Sequence, residues 1–247
     1  VAAFFAEPVS GATVSALTPP GEYWPIVREI CTKYDVLLVA DEVMTGMGRT
    51  GKPFCTQHWN VTPDIVCAAK ALSGGYAPVG AMIVRREIAE IVRDGSGAFC
   101  HGHTYNGNPV TAAAVTATIR YMKKHDVFEN ALAMGKRFEE RIPALNDIPI
   151  VGDVRGMGMM RGVEIVADKE TKSPFPAGAK AAALVTDECM KRGLVIYPST
   201  GQIGGVAGDQ FLFAPPLTVS EAEMDTMTDR LEEALEAASK RLRGQGK

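Results

Sequence analysis

Two short apolar runs constrain what this chain can fold into, because each closes on a charged residue. Val36-Leu37-Leu38-Val39-Ala40 is β-branched or aliphatic throughout and stops at Asp41. Asp64-Ile65-Val66-Cys67-Ala68-Ala69 repeats the arrangement and stops at Lys70. Apolar runs of this length without polar alternation are the pattern of parallel strands buried on both faces. In open parallel sheets, ligands sit beyond the carboxyl ends of the strands, so an acid and an amine closing two such strands are expected to face one crevice.

Each residue alone has an ordinary reading. An Asp-Glu pair after a strand anchors a loop or caps a helix, and a lysine there is solvated. The pair has a chemical meaning that neither residue has singly. A lysine in an apolar setting loses its charge, becomes nucleophilic and can form a Schiff base with a carbonyl. A carboxylate beside it can keep a pyridine nitrogen protonated, which is the pairing that pyridoxal phosphate chemistry requires.

Leu38-Val39-Ala40-Asp41-Glu42-Val43, Gly46-Met47-Gly48-Arg49-Thr50-Gly51, Pro63-Asp64-Ile65 and Ala69-Lys70-Ala71-Leu72-Ser73-Gly74-Gly75 resemble the signature of class III pyridoxal phosphate-dependent aminotransferases. So do Ala6-Glu7-Pro8-Val9, Gly102-His103-Thr104-Tyr105-Asn106-Gly107-Asn108-Pro109, Val154-Arg155-Gly156-Met157-Gly158 and Ala214-Pro215-Pro216-Leu217. The resemblance runs through nearly the whole chain in the family's order. It implies an α/β chain of the fold-type I transferases, with a parallel-rich sheet in a large domain and a small C-terminal α+β domain. It also implies pyridoxal 5'-phosphate as cofactor. Lys70 is then the residue that carries the cofactor and shuttles the proton, Asp41 pairs with the pyridine nitrogen, and Val43 packs on one face of the ring. Thr104 reaches the cofactor phosphate of the neighbouring subunit, which makes a homodimer with a shared active site. Glu7 lies near the substrate entrance or, equally, serves an ion pair or a loop hydrogen bond. Arg155 is a candidate substrate residue, against the alternative of an arginine that ties its loop to the large domain.

The implied activity is ping-pong amino transfer from an ω-amino acid or amine donor to a keto acid such as pyruvate or 2-oxoglutarate. Two departures bear on the substrate. Several similar enzymes grip a carboxylate with an arginine shortly before the Pro-Pro-Leu segment, but here no arginine or lysine lies between Gly193 and Ser220. Met44 stands where ornithine-type relatives carry glutamine. A mutase or decarboxylase of the same family would share every motif quoted. Readings outside the active family are a nucleotide-binding oxidoreductase and an inactive fragment.

Composition bounds the partners. With 247 residues, 46% hydrophobic and 22% charged, the chain can bury a core as one large domain or two small ones. A formal charge of −3 with no basic block argues against nucleic acid or an anionic membrane surface. No apolar run approaches the ~20 residues of a membrane span. Five scattered cysteines without a Cys-x-x-Cys pair suggest reduced thiols in a cytoplasmic protein. Val1 to Ala6 reads as a strand already under way, so the N-terminal half of the resembled family, with its phosphate-binding turn, is expected to be missing.

Gly46-x-Gly48-x-x-Gly51 matches a dinucleotide fingerprint, but the first glycine does not directly follow the strand, and Lys52-Pro53 stands where a helix should open. These glycines are expected to form turns. His101-x-His103 has no third ligand nearby, so no metal is expected.

The order of elements changes at His125-Asp126, which divides the chain into 1–125, the cofactor-binding part, and 126–247, the small domain. Helices are expected over Glu22 to Tyr34, from Asn108 to about Lys124, and after a Ser220/Glu223 capping box. Val79 to Val84 is expected as a third buried strand, and Leu194 to Tyr197 as a strand of the second part.

Overall fold

A computed structural model describes residues 1–244. The chain forms two compact units. One comprises Val1–Pro8, Pro19–Gly48 and Lys52–Phe128, and the other comprises Val9–Thr18, Arg49–Gly51 and the chain from Glu129 onward. Among the described residues, no helix is long and apolar enough to cross a membrane.

The first unit is built on a four-stranded sheet in the order β1 (Ala3–Ala6), β2 (Leu37–Asp41), β3 (Ile65–Ala69), β4 (Gly80–Val84). The first three strands are parallel, and β4 runs antiparallel to β3. Helix α1 (Tyr23–Lys33) joins β1 to β2, with Pro25 in its first turn, where the missing N–H has no intrahelical partner to lose. It packs through Trp24, wholly buried against Leu38 and Val61, while the indole N–H donates to the Pro8 carbonyl at 3.1 Å.

The register of β2 on β3 is locked at their amino ends by Asp64. Its carboxylate accepts from the Leu38 N–H (2.7 Å), Arg28 (2.8 Å) and Arg85 (2.7 Å), while its own N–H donates to the Leu38 carbonyl. Burial alone would raise the Asp64 pKa. The Leu38 N–H and the two guanidinium groups outweigh it and hold the group below the usual carboxylate range.

The Val79 to Val84 run does form a strand, but not a buried one. Met82 is 52% and Ile83 46% exposed. β4 is an edge with a neighbour on one side only, and α2 (Arg86–Asp94), which follows it, buries no residue. Helix α3 (Pro109–Lys124) starts where the Asn108 side chain accepts from the N–H groups of Val110 and Thr111, with Pro109 at the first helical position.

The second unit holds an antiparallel sheet in the order β5 (Val151–Met157), β6 (Met160–Ile165), β8 (Ala207–Phe213), β7 (Tyr197–Ile203). The remaining helices are α4 (Val127–Glu139), α5 (Ile142–Asp147), α6 (Ala181–Lys191) and α7 (Glu221–Gly244). Its core gathers Met134, Phe138, Ile150, Ile165, Phe211, Phe213, Leu231 and Leu235, with Phe138 stacked on Phe213 at 5.1 Å. The capping box at α7 forms as its sequence requires: the Ser220 hydroxyl accepts from the Glu223 N–H, and the Glu223 carboxylate accepts from the Ser220 N–H.

Two strands differ from expectation. β7 occupies Tyr197–Ile203, and the apolar Leu194 and Ile196 precede it as core residues. β5 is masked in the sequence because Gly152 and Gly156 interrupt its apolar pattern. Gly156 sits at φ 118, and a Cβ there would lie 2.1 Å from the Met160 carbonyl oxygen.

Candidate active site

The parallel pairing of β1, β2 and β3 brings three carboxyl ends to one edge of the sheet. Ala6 lies opposite Ala40, and Asp41 lies opposite Cys67. Glu7 therefore leaves β1 at the level of Asp41, and Lys70 follows β3 just beyond. Residues opposite each other in register share a sheet face, so Asp41 and Cys67 point to the same side.

Asp41 is half-buried, and its Oδ1 accepts the N–H of Val43 at 3.0 Å. Among the described residues no donor reaches its Oδ2. The Cys67 thiol is pushed up by burial first and by the Asp41 charge second, so it stays a neutral neighbour rather than a competing thiolate.

Lys70 opens a 3-10 turn (Lys70–Ser73) with its own backbone at φ 44, in the left-handed region that disfavours a side chain. Strain of this kind persists only where the surroundings impose it. Here Leu72 and Ser73 are buried, the Ser73 hydroxyl donates to the Ala77 carbonyl at 2.6 Å, and Gly74 (φ 62) and Gly75 (φ 83) complete the bend. The Lys70 amine is exposed and has no acceptor among the described residues. A carboxylate with one open oxygen and an unpartnered amine, on neighbouring strand ends, form a donor set that fits pyridoxal phosphate: one group for the ring nitrogen and one for the aldehyde carbon.

Val43 is half-buried two residues past Asp41 and orients it through its N–H. Thr104 lies in the same unit, in the exposed stretch 101–107 ahead of α3, and makes no hydrogen bond to Asp41 or Lys70. Arg155 is on β5 in the other unit, and all five of its N–H groups have acceptors there. Its Nε donates to the Ser15 carbonyl (3.1 Å), Nη1 to Asp153 (3.0 Å) and Glu164 (2.7 Å), and Nη2 to the Val14 carbonyl (3.0 Å) and Gln210 (2.8 Å). The guanidinium thus fastens the 9–18 segment to the antiparallel sheet, with each of its N–H groups engaged.

The glycine loop after Asp41 is a set of turns. Met47 N–H donates to Pro53 O (2.7 Å) and Gly48 N–H to Lys52 O (3.2 Å), so its amides are used internally and form no pyrophosphate cradle. Within that loop Arg49 is a residue whose role sequence reasoning missed. Its Nη1 donates to the carbonyls of Met159 (3.1 Å) and Pro215 (2.6 Å), and burial pushes its pKa down to about 10. A lone arginine inside a glycine-rich run was the available signal. Among the described residues, no group of three or more His, Cys, Asp or Glu side chains is placed to hold a metal ion.

The chain belongs to the class III aminotransferases, whose family model matches residues 1–235. Members of the family depend on pyridoxal phosphate. The chain is 40% identical over 98% of its length to the aminotransferase YodT of Bacillus subtilis, covering 55% of that protein. It is 38% identical to a probable mitochondrial gamma-aminobutyrate transaminase of Oryza sativa subsp. indica, covering 46% of it. Among solved structures, a transaminase from the marine bacterium Virgibacillus superposes with a TM-score of 0.91 at 34% identity, over 97% of this chain and 54% of that one. An (S)-enantioselective omega-transaminase from Thermomicrobium roseum gives 0.87 at 37% identity, over 96% and 51%. The chain thus spans about half the length of the relatives it matches.

Proposed function

We propose that this protein is a transaminase that moves an amino group from an ω-amino acid or amine donor to a keto acid such as pyruvate or 2-oxoglutarate. The observation that carries the reading is the pairing of Asp41 and Lys70 at adjacent parallel strand ends, each with an unused polar atom. Relatives named gamma-aminobutyrate transaminases and omega-transaminases support a donor whose amine is remote from any carboxylate.

When bound, pyridoxal phosphate would supply an electron-withdrawing ring that stabilises negative charge on the donor carbon bearing the amine. The protein's part is to position and to move protons. Lys70 would hold the cofactor through its amine and, when free, would serve as the base for the proton on the donor carbon that bears the amine. Asp41, its Oδ1 held by the Val43 N–H at 3.0 Å, would be the partner of the ring nitrogen, and Val43 would pack on the ring. Glu7 lines the approach to Asp41 from β1. Thr104 would donate its hydroxyl to the cofactor phosphate of a second subunit, in a homodimer with a shared active site.

Residues 1–125 act as the cofactor-binding part and 126–247 as the small domain. The scattered thiols suit a reducing compartment, the cytoplasm. The test is borohydride reduction of the full-length protein with pyridoxal phosphate, followed by digestion and mass analysis. A pyridoxyl group on Lys70 is expected, and a folded protein with Lys70 unmodified would overturn the reading.

A further inference from the structure

Glu42 is a buried carboxylate that the chemistry above does not use. It is 1% exposed, and among the described residues no cation pairs with it. A carboxylate taken out of water without a counter-charge is costly unless hydrogen bonds replace its hydration. Here they do: Oε2 accepts the Thr45 hydroxyl at 2.5 Å, and Oε1 accepts the Thr56 N–H at 2.9 Å. Thr45 and Thr56 are themselves buried. The backbone of Glu42 is fastened as well, with its N–H donating to the Cys67 carbonyl on β3 (2.9 Å) and its carbonyl accepting the Gly46 N–H (2.9 Å). Position 46 admits no side chain, since a Cβ there would lie 2.7 Å from the Glu42 carbonyl oxygen.

These contacts bear on Asp41. Its carboxylate is aimed by a single bond, from the N–H of Val43, and Val43 lies inside the turn that Glu42 closes. Four bonds from Glu42 tie that turn to β3, to Thr45 and Gly46, and to the 3-10 turn Cys55–Trp59. We infer that Glu42 is a positioning residue, which holds Asp41 at the angle needed to keep its charge on the pyridine nitrogen. The inference rests on the transaminase reading.

The test compares two ligands on the full-length apoprotein: pyridoxal phosphate and its 1-deaza analogue, in which a C–H replaces the ring nitrogen. The unsubstituted protein is expected to prefer the natural cofactor by about tenfold or more, the value of one charge-assisted hydrogen bond. Asp41→Ala sets the ratio with no ring-nitrogen partner. Glu42→Ala should fall to that ratio, whereas Glu42→Gln should keep the preference, because the amide can accept from Thr56 and donate to Thr45. Thr45→Val, a milder change that leaves the carboxylate in place, should lower the ratio partway and guards against Glu42→Ala failing to fold. A purely structural role weakens both ligands equally. An unchanged ratio in Glu42→Ala and Thr45→Val, with the unsubstituted protein discriminating, would overturn the role of Glu42 alone. An unsubstituted protein that binds neither ligand would overturn the transaminase reading as well.

Discussion

Lys70 combines proposed chemistry and backbone strain in one residue. A side chain at φ 44 costs about 1–2 kcal/mol relative to glycine, and the cost is borne at the position assigned to the cofactor amine. Replacing the amine should therefore separate two effects. Lys70→Ala removes the chemistry and keeps the strain, whereas Lys70→Gly removes both. The glycine variant is expected to unfold in urea at a free energy about 1 kcal/mol above that of the alanine variant. Arg155 makes the opposite case, a residue with candidate chemistry whose donors are all engaged by the fold. Arg155→Ala is expected to cost about 1–3 kcal/mol in urea unfolding, since it leaves the Ser15 and Val14 carbonyls without their donor, and to leave the keto-acid KM unchanged. Asp41 and Lys70 were legible in the sequence because a strand-end position follows directly from the apolar run before it. Glu42 and Arg155 were not, because their meaning lies in partners that only the fold supplies: Thr56 on a later turn, and Ser15 and Gln210 far away in the chain.

At the scale of elements, the site edge depends on β2 and β3 being clamped at both ends. Asp64 locks their amino ends, and the Glu42 N–H to the Cys67 carbonyl locks the carboxyl ends. The parallel strands were readable because burial on both faces leaves an unbroken apolar run. The antiparallel strands were less so: β5 and β7 carry glycine, serine, threonine and glutamine, and the hydrogen-bond ladder holds them where side-chain pattern does not. Close backbone approach is a second device that sequence conceals. Gly162 on β6 faces the Ser15 carbonyl so tightly that an added Cβ would lie 1.7 Å from its oxygen. A backbone atom cannot swing aside as a side-chain tip would. Gly162→Ala is therefore expected to destabilise the second unit by about 3 kcal/mol, at the upper end of overpacking costs, and the check is a lowered urea midpoint with an unchanged slope.

For the whole molecule, acid tolerance is set by carboxylates in both units whose folded forms favour the charge. In the first unit Asp64 is held below its ordinary range. In the second, Glu188 on α6 is buried and receives Lys191 (2.7 Å), Arg192 (2.9 Å) and, from α7, Arg241 (2.6 Å), which bring its pKa to about 2. A carboxylate whose pKa is depressed on folding stabilises the native state above the unfolded value, about 4.3 for glutamate. That contribution shrinks as pH falls from there towards about 2, because the unfolded chain takes up the proton first. Glu188→Gln removes one such proton-linked term and leaves α6 and α7 without their shared anion. The urea midpoint of the variant should therefore lie below that of the unsubstituted protein at pH 7. Its further decline between about pH 4.3 and 2 should be shallower, because one fewer proton is taken up on unfolding. Parallel curves through that window would mean that Glu188 titrates alike in both states, and that the three cations around it contribute packing rather than charge.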